Sequence, residues 1–117
     1  MEQESKLILC IVNRGFSETV MEAARAAGAG GGTVLGGRGT SLAAHRLLGM
    51  KVEPEKEVIL IVAEKSTVKP IIQRIYEAAG LGTPGSGICI ALPVSDVIGI
   101  TFRPAAVPEE TDGGKAE

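Results

Sequence analysis

The sequence predicts an α+β domain in which two helices cover one face of an antiparallel sheet. Three observations predict it. Two continuous apolar runs, residues 7–12 and 58–62, have strand length and no polar alternation, as expected of strands buried on both faces. Each run leads into a segment of helical periodicity, and each helix leads through glycines to another apolar stretch. The two units, "LILCIVN" to "AAGAGGGTV" and "VILIVAE" to "AAGLGTPGSGICI", repeat at an offset of about 52 residues. Two such units in series give β-α-β-β-α-β, the ferredoxin-like sandwich with its first and third strands at the centre.

The elements follow in order. After the first strand, "NRGFSETVMEAARAAG" predicts a helix with Ser17 as N-cap, Glu18 at the positive end of its dipole and Gly28 as C-cap. Val20, Met21, Ala24 and Ala27 form its apolar face. "GGTVLGG" predicts a short second strand. "GGRGTSLAAHRLLGMKVEPEKE" holds no single period and is long for a connection within a domain, which marks it as a functional loop. Inside it, "SLAAHRLLGM" could form a short helix with Leu42, Leu47 and Leu48 on one side.

"STVKPIIQRIYEAAG" predicts the second helix, capped by Ser66 or Thr67. Pro70 falls in or near its first turn, where backbone donors lack partners anyway. Ile71, Ile72, Ile75 and Ala79 make its core face. A strand over 88–92 is interrupted by Pro93, and "VSDVIGITF" offers a further short edge strand. The expectation is one domain, 1–103, followed by a polar, flexible tail, 104–117.

Composition narrows the function. With 117 residues the chain makes one domain and buries roughly two-thirds of its unfolded surface without needing disulfides or metal. Apolar residues are 44% and aromatics only 3%, so the core is aliphatic, and the composition argues against a site built on stacked rings. Net charge is −2 with the basic residues scattered, so no cationic stripe exists for nucleic acid. The acidic start "MEQESK" and the lack of a long apolar run point to a cytoplasmic protein. Cys10 and Cys89, both in apolar strands, read as core filler, and a single histidine argues against a metal site.

Two helices cover only one sheet face. The two central runs want both faces covered, so self-association is expected.

The order of elements, the long loop opening with "GGRG", the turn "GTPGSG" before the last core strand and the trailing "PVSDVIGI" together resemble the PII signalling proteins, over about residues 6–100. That resemblance implies a PII-like homotrimer that regulates enzymes or transporters and is not itself an enzyme. It implies an adenine nucleotide (ATP, ADP or AMP) or another small anion held in clefts between subunits. It makes residues 37–57 the T-loop, which would engage a metabolic enzyme or membrane transporter. The implied ligand residues are Thr33, Gly36, Gly37, Arg38, Val62, Ala63, Glu64, Gly82, Thr83, Gly85, Ser86 and Gly87. Arg103 would supply charge.

The sequence departs from the family at several of these positions. Ile88 stands where the family commonly has a lysine, and Gly99 and Thr101 stand near its arginines. Those cations form charge-assisted bonds to phosphate. Gly39 replaces a glutamine tied to magnesium and 2-oxoglutarate, and the only tyrosine, Tyr76, lies in the second helix, not in the loop.

Two readings stay open for the glycine turn. Its amides could form an anion-binding nest with Thr83 and Ser86 adding hydroxyls, or it could be a turn in which glycine permits positive φ. Other candidates are weaker. His45 could sense pH or merely sit on a contact surface, and Glu53, Glu55 and Glu57 read as a solvated loop base. Arg14, after the first strand, sits where acylphosphatases of the same topology bind phosphate, so hydrolysis is a third alternative beside a regulator and a module that binds no nucleotide.

Overall fold

The computed structural model describes residues 4–40, 45–47, 50–52 and 54–100. The chain forms β1 (Ser5–Asn13), α1 (Ser17–Ala26), β2 (Thr33–Arg38), β3 (His45–Leu47), β4 (Met50–Val52), β5 (Glu55–Glu64), a 3₁₀ turn (Lys65–Thr67), α2 (Val68–Ala79) and β6 (Gly87–Pro93). Four strands make one antiparallel sheet in the order β2-β5-β1-β6, with the two apolar runs at the centre. This is the ferredoxin-like arrangement the repeat predicts.

Register assigns the faces. Ile8, Cys10 and Val12 of β1 and Ile59, Ile61 and Ala63 of β5 turn toward the helices and meet Val20, Met21, Ala24, Val68, Ile71, Ile75 and Ala79 in the core. The alternate residues form the other face: Leu7, Leu9 and Ile11, then Val58, Leu60 and Val62, then Ile88, Ile90 and Leu92. All nine are apolar, yet none belongs to the core, and Ile88, Ile90 and Leu92 are 52%, 40% and 38% exposed. The sheet therefore has an open apolar face.

Several local expectations change. Ser17 is the first residue of α1 and not its cap; Phe16 occupies that position without a side-chain bond. The cap comes from a distant strand, because the Glu57 carboxylate accepts from the Gly15 and Ser17 amides at 3.2 and 3.0 Å. At the other end Ala27 is the C-cap and Gly28 follows it at φ 116°. The Gly28 amide bonds Arg25 and the Ala29 amide bonds Ala24, the paired bonds of a Schellman turn. In α2 the cap position is Thr67, but its hydroxyl donates backward to the Glu64 carbonyl at 2.8 Å.

Where a short loop helix was expected, His45–Leu47 and Met50–Val52 pair as an antiparallel hairpin. Pairing in the main sheet also runs further than expected, to Arg38 opposite Glu55, and the Gly39 amide closes on the Pro54 carbonyl at 2.8 Å. The ends of the 37–57 loop are thus strands. Residues 94–100 form no strand. Ile98 is 95% exposed, and Gly99 turns to φ 93°. Thr101, Arg103 and the 104–117 tail lie outside the described residues. Among those described, no helix is long and apolar enough to cross a membrane.

Candidate functional site

The site is assembled at the end of the sheet where β1 and β2 finish and β5 and β6 begin. Antiparallel register puts Asn13 beside Lys56, Val12 beside Gly87, and Gly36, Gly37 and Arg38 beside Glu57, Lys56 and Glu55. Residues far apart in sequence thereby share one edge. Gly36, Gly37 and Arg38 line an open cleft of about 560 Å³ together with Arg14 and the three charged residues that open β5.

The charges of this cleft are organised by specific bonds. Arg14 pairs with Glu55 through side chains and its amide bonds the Glu55 carbonyl at 3.1 Å. Glu57 faces the start of α1. The Ser17 hydroxyl holds its carboxyl below the usual carboxylate range, aided by the Ser17 and Gly15 amides and by the Arg14 charge. Partial burial opposes that shift.

Lys56 donates to Asn13 Oδ1 at 2.6 Å, and Asn13 Nδ2 donates to the Gly85 carbonyl at 3.2 Å. One side chain thus ties the glycine turn to the base of the loop. Sequence reasoning passed over Asn13, because nothing local signals that a residue ending one strand will sit between two segments 43 and 72 positions away.

The glycines divide into two kinds. A Cβ on Gly87, at φ 138°, would lie 2.4 Å from the Ile11 carbonyl oxygen, so the close strand approach itself demands glycine. Gly85 sits at φ 83°, a turn conformation that L side chains rarely adopt. A Cβ on Gly82 would meet the Tyr76 hydroxyl at 2.7 Å. Two amides of the turn are already engaged within it, Thr83 to Gly80 at 3.0 Å and Ser86 to Thr83 at 3.1 Å. Gly36 is different: its Cβ direction is empty, and Gly37 would make only ordinary contact. The fold does not require either one.

The other expected residues lie elsewhere. Thr33 is exposed at the start of β2, opposite Leu60. Val62 is on the open sheet face, while Ala63 is 3% exposed within the core. Glu64 lines a second cleft, about 1030 Å³, with Lys6, Lys65 and Lys69. From Lys56 to Glu64 the strand runs about 26 Å, so one chain does not bring Val62, Ala63 and Glu64 to the glycines. Arg103 lies outside the described residues.

No protein-family model matches the sequence, and no curated protein matches it. Solved structures do. A NIF3-related protein of Bacillus cereus is similar at TM-score 0.62 and 20% identity over 80% of this chain, which spans 26% of that one. That likeness shows the fold. Arabidopsis thaliana PII, solved bound to citrate, is similar at TM-score 0.63 and 30% identity, covering 85% of each chain. At 30% identity across most of both proteins, the chain belongs to the PII-like family.

Proposed function

We propose that the protein is a cytoplasmic, homotrimeric regulator that senses a small anion in clefts between subunits and controls an enzyme or transporter through loop 37–57. The observation that carries this is the bonded path from the glycine turn through Asn13 to Lys56, at the foot of that loop. A ligand that prefers one arrangement of the turn biases the loop by its differential affinity for the two states. Gly36 and Gly37 support the reading, since fold-neutral glycines beside Arg38 and Lys56 let a ligand approach the backbone closely.

The open apolar face is what a trimer would cover. Apposing chains also offers a way to bring Val62 and Glu64 of one copy near the glycines of another. The ligand class is an adenine nucleotide or another small anion, and the citrate bound by the plant protein fits the broader class. Arg38 supplies charge, with Arg103 as a second cation. Arg14 is a weaker phosphate holder than the hydrolase alternative needs, because its guanidinium is paired with Glu55.

Ile88 favours a second reading, a module of the same fold that binds no nucleotide. It lies on the open face at 52% exposure and offers no charge. Calorimetry of the full chain with ATP, ADP, AMP and citrate decides between them. Saturable heat with any of the four supports the sensor. Silence with all four at millimolar ligand supports the module, and heat with citrate alone removes the nucleotide. Light scattering checks the assembly independently: a mass of three chains is expected, and a monomer overturns the trimer.

A further inference from the structure

Cys10 and Cys89 are 79 residues apart in sequence and directly opposite each other in the β1–β6 ladder. Both are free thiols, and their Sγ atoms are 3.0 Å apart, within S–H···S hydrogen-bond reach. Paired residues of antiparallel strands have Cα atoms about 4.5 or 5.5 Å apart, and both values fall inside the range that disulfides span. Side chains on directly opposed positions also leave the same face of the sheet, so the Cβ vectors agree. Closure would need little backbone movement.

The two thiols are not equivalent. Cys10 is fully buried, whereas Cys89 lies on edge strand β6 and is only partly buried. The contact with Cys89 and burial push the Cys10 thiol up. The better access of Cys89 on the edge strand makes it the nucleophile and the buried Cys10 the resolving thiol. Both point to the helix side, so a second copy on the open apolar face would leave the pair unchanged.

We propose that Cys10 and Cys89 are a reversible redox modification site that closes to an intrachain disulfide when the protein meets a hydroperoxide. The Cys89 thiolate attacks the terminal peroxide oxygen, the O–O bond breaks, and alkoxide (hydroxide from hydrogen peroxide) leaves and takes up the proton the thiol released, giving a sulfenic acid on Cys89. Cys10 then attacks the Cys89 sulfur and the S–O bond breaks. The departing hydroxide takes the Cys10 proton and leaves as water. Two thiols are oxidised and one hydroperoxide is reduced; with hydrogen peroxide the product is two waters. A dithiol reductant reverses the bond by exchange. The consequence is a staple from central β1 to the edge strand that directly follows the glycine turn. It stands apart from the ligand reading and does not depend on it.

The test treats the folded full-length protein with hydrogen peroxide and counts thiols after denaturation. Both thiols are expected to disappear together, the intact mass to fall by two hydrogen atoms, and non-reducing digestion to give one linked Cys10–Cys89 peptide pair. Dithiothreitol should restore both. In Cys10→Ser, Cys89 should accumulate as a sulfenic acid trapped by dimedone; in Cys89→Ser, Cys10 should stay unmodified under the same dose. Survival of both thiols in the folded wild type overturns the proposal. So does oxidation that yields only chain-to-chain links or an over-oxidised Cys89. Should Cys10→Ser fail to fold, the wild-type peptide map decides alone.

Discussion

The two halves of the chain use glycine in the same two places and differ in what lies between. In each half the helix ends at a glycine of positive φ, Gly28 at 116° and Gly80 at 67°. In each, the next strand is entered through a glycine pressed against the rest of the fold. A Cβ on Gly32 would lie 3.0 Å from the Leu60 carbonyl oxygen, and one on Gly87 would lie 2.4 Å from that of Ile11. Gly32 comes four positions after Gly28, but Gly87 comes seven after Gly80. The second half thus carries three extra residues in its turn, and Asn13 reaches into that turn at Gly85. The first half instead places its spare glycines, Gly36 and Gly37, along β2. Glycine content therefore does not separate the two halves; what separates them is which glycines the fold could replace, and those two line a charged cleft.

The largest effect expected is from Gly87→Ala. Its methyl must move backbone, and positive φ adds strain, so a loss of about 3 kcal/mol is expected. For a domain of this size that lowers Tm on the order of 10–20 °C, readable by calorimetry. Gly32→Ala should cost less, roughly 1–2 kcal/mol, because its nearest backbone atom is 3.0 Å away against 2.4 Å at Gly87 and its closest contact, 2.9 Å, is to the adaptable Met21 side chain. Equal losses would remove the distinction between the two turns.

This distinction separates what the sequence disclosed from what it withheld. Central strands, both helices and the open apolar face were legible because they rest on short-range periodicity and on a repeated unit. Local sequence points to Ser17 as the cap, but the group that serves the start of α1 comes from Glu57, 40 residues away. The loop segment could form a short helix on local grounds, because leucines and alanines favour that state, while the strand pairing seen there is a non-local gain. The glycines were visible, but which of them the fold requires depends on what each missing Cβ would touch. The same holds for Cys10 and Cys89, whose opposition follows only from the β1–β6 register.

Gly36→Ala sharpens the comparison from the other side. Alanine has open space there and is a better strand residue than glycine, so stability should hold or rise slightly, by about 0.5 kcal/mol at most. If ligands approach this backbone, the same methyl should weaken binding about tenfold, about 1.4 kcal/mol. Unchanged affinity in the calorimeter would move the ligand away from β2 and toward the turn.

The smallest effect tests how the second half supports the first. Glu57 of β5 accepts from the Gly15 and Ser17 amides at the start of α1, whereas Thr67 at the cap position of α2 turns its hydroxyl back to Glu64 and caps no helix amide. Glu57→Gln keeps the shape and an acceptor oxygen but removes the charge, so the Tm loss at neutral pH should be modest. Its pH dependence has a definite sign. The carboxyl is held below its ordinary value of 4.5, so its charge stabilises the fold fully above that pH. The contribution fades as pH falls below 4.5 and is gone once pH passes below the lowered folded value. The wild-type advantage over Glu57→Gln should therefore be flat near neutrality and shrink in acid. An advantage that persists undiminished to about pH 3 would mean that shape, not charge, holds the helix start. An advantage that grows in acid would contradict the lowered carboxyl altogether.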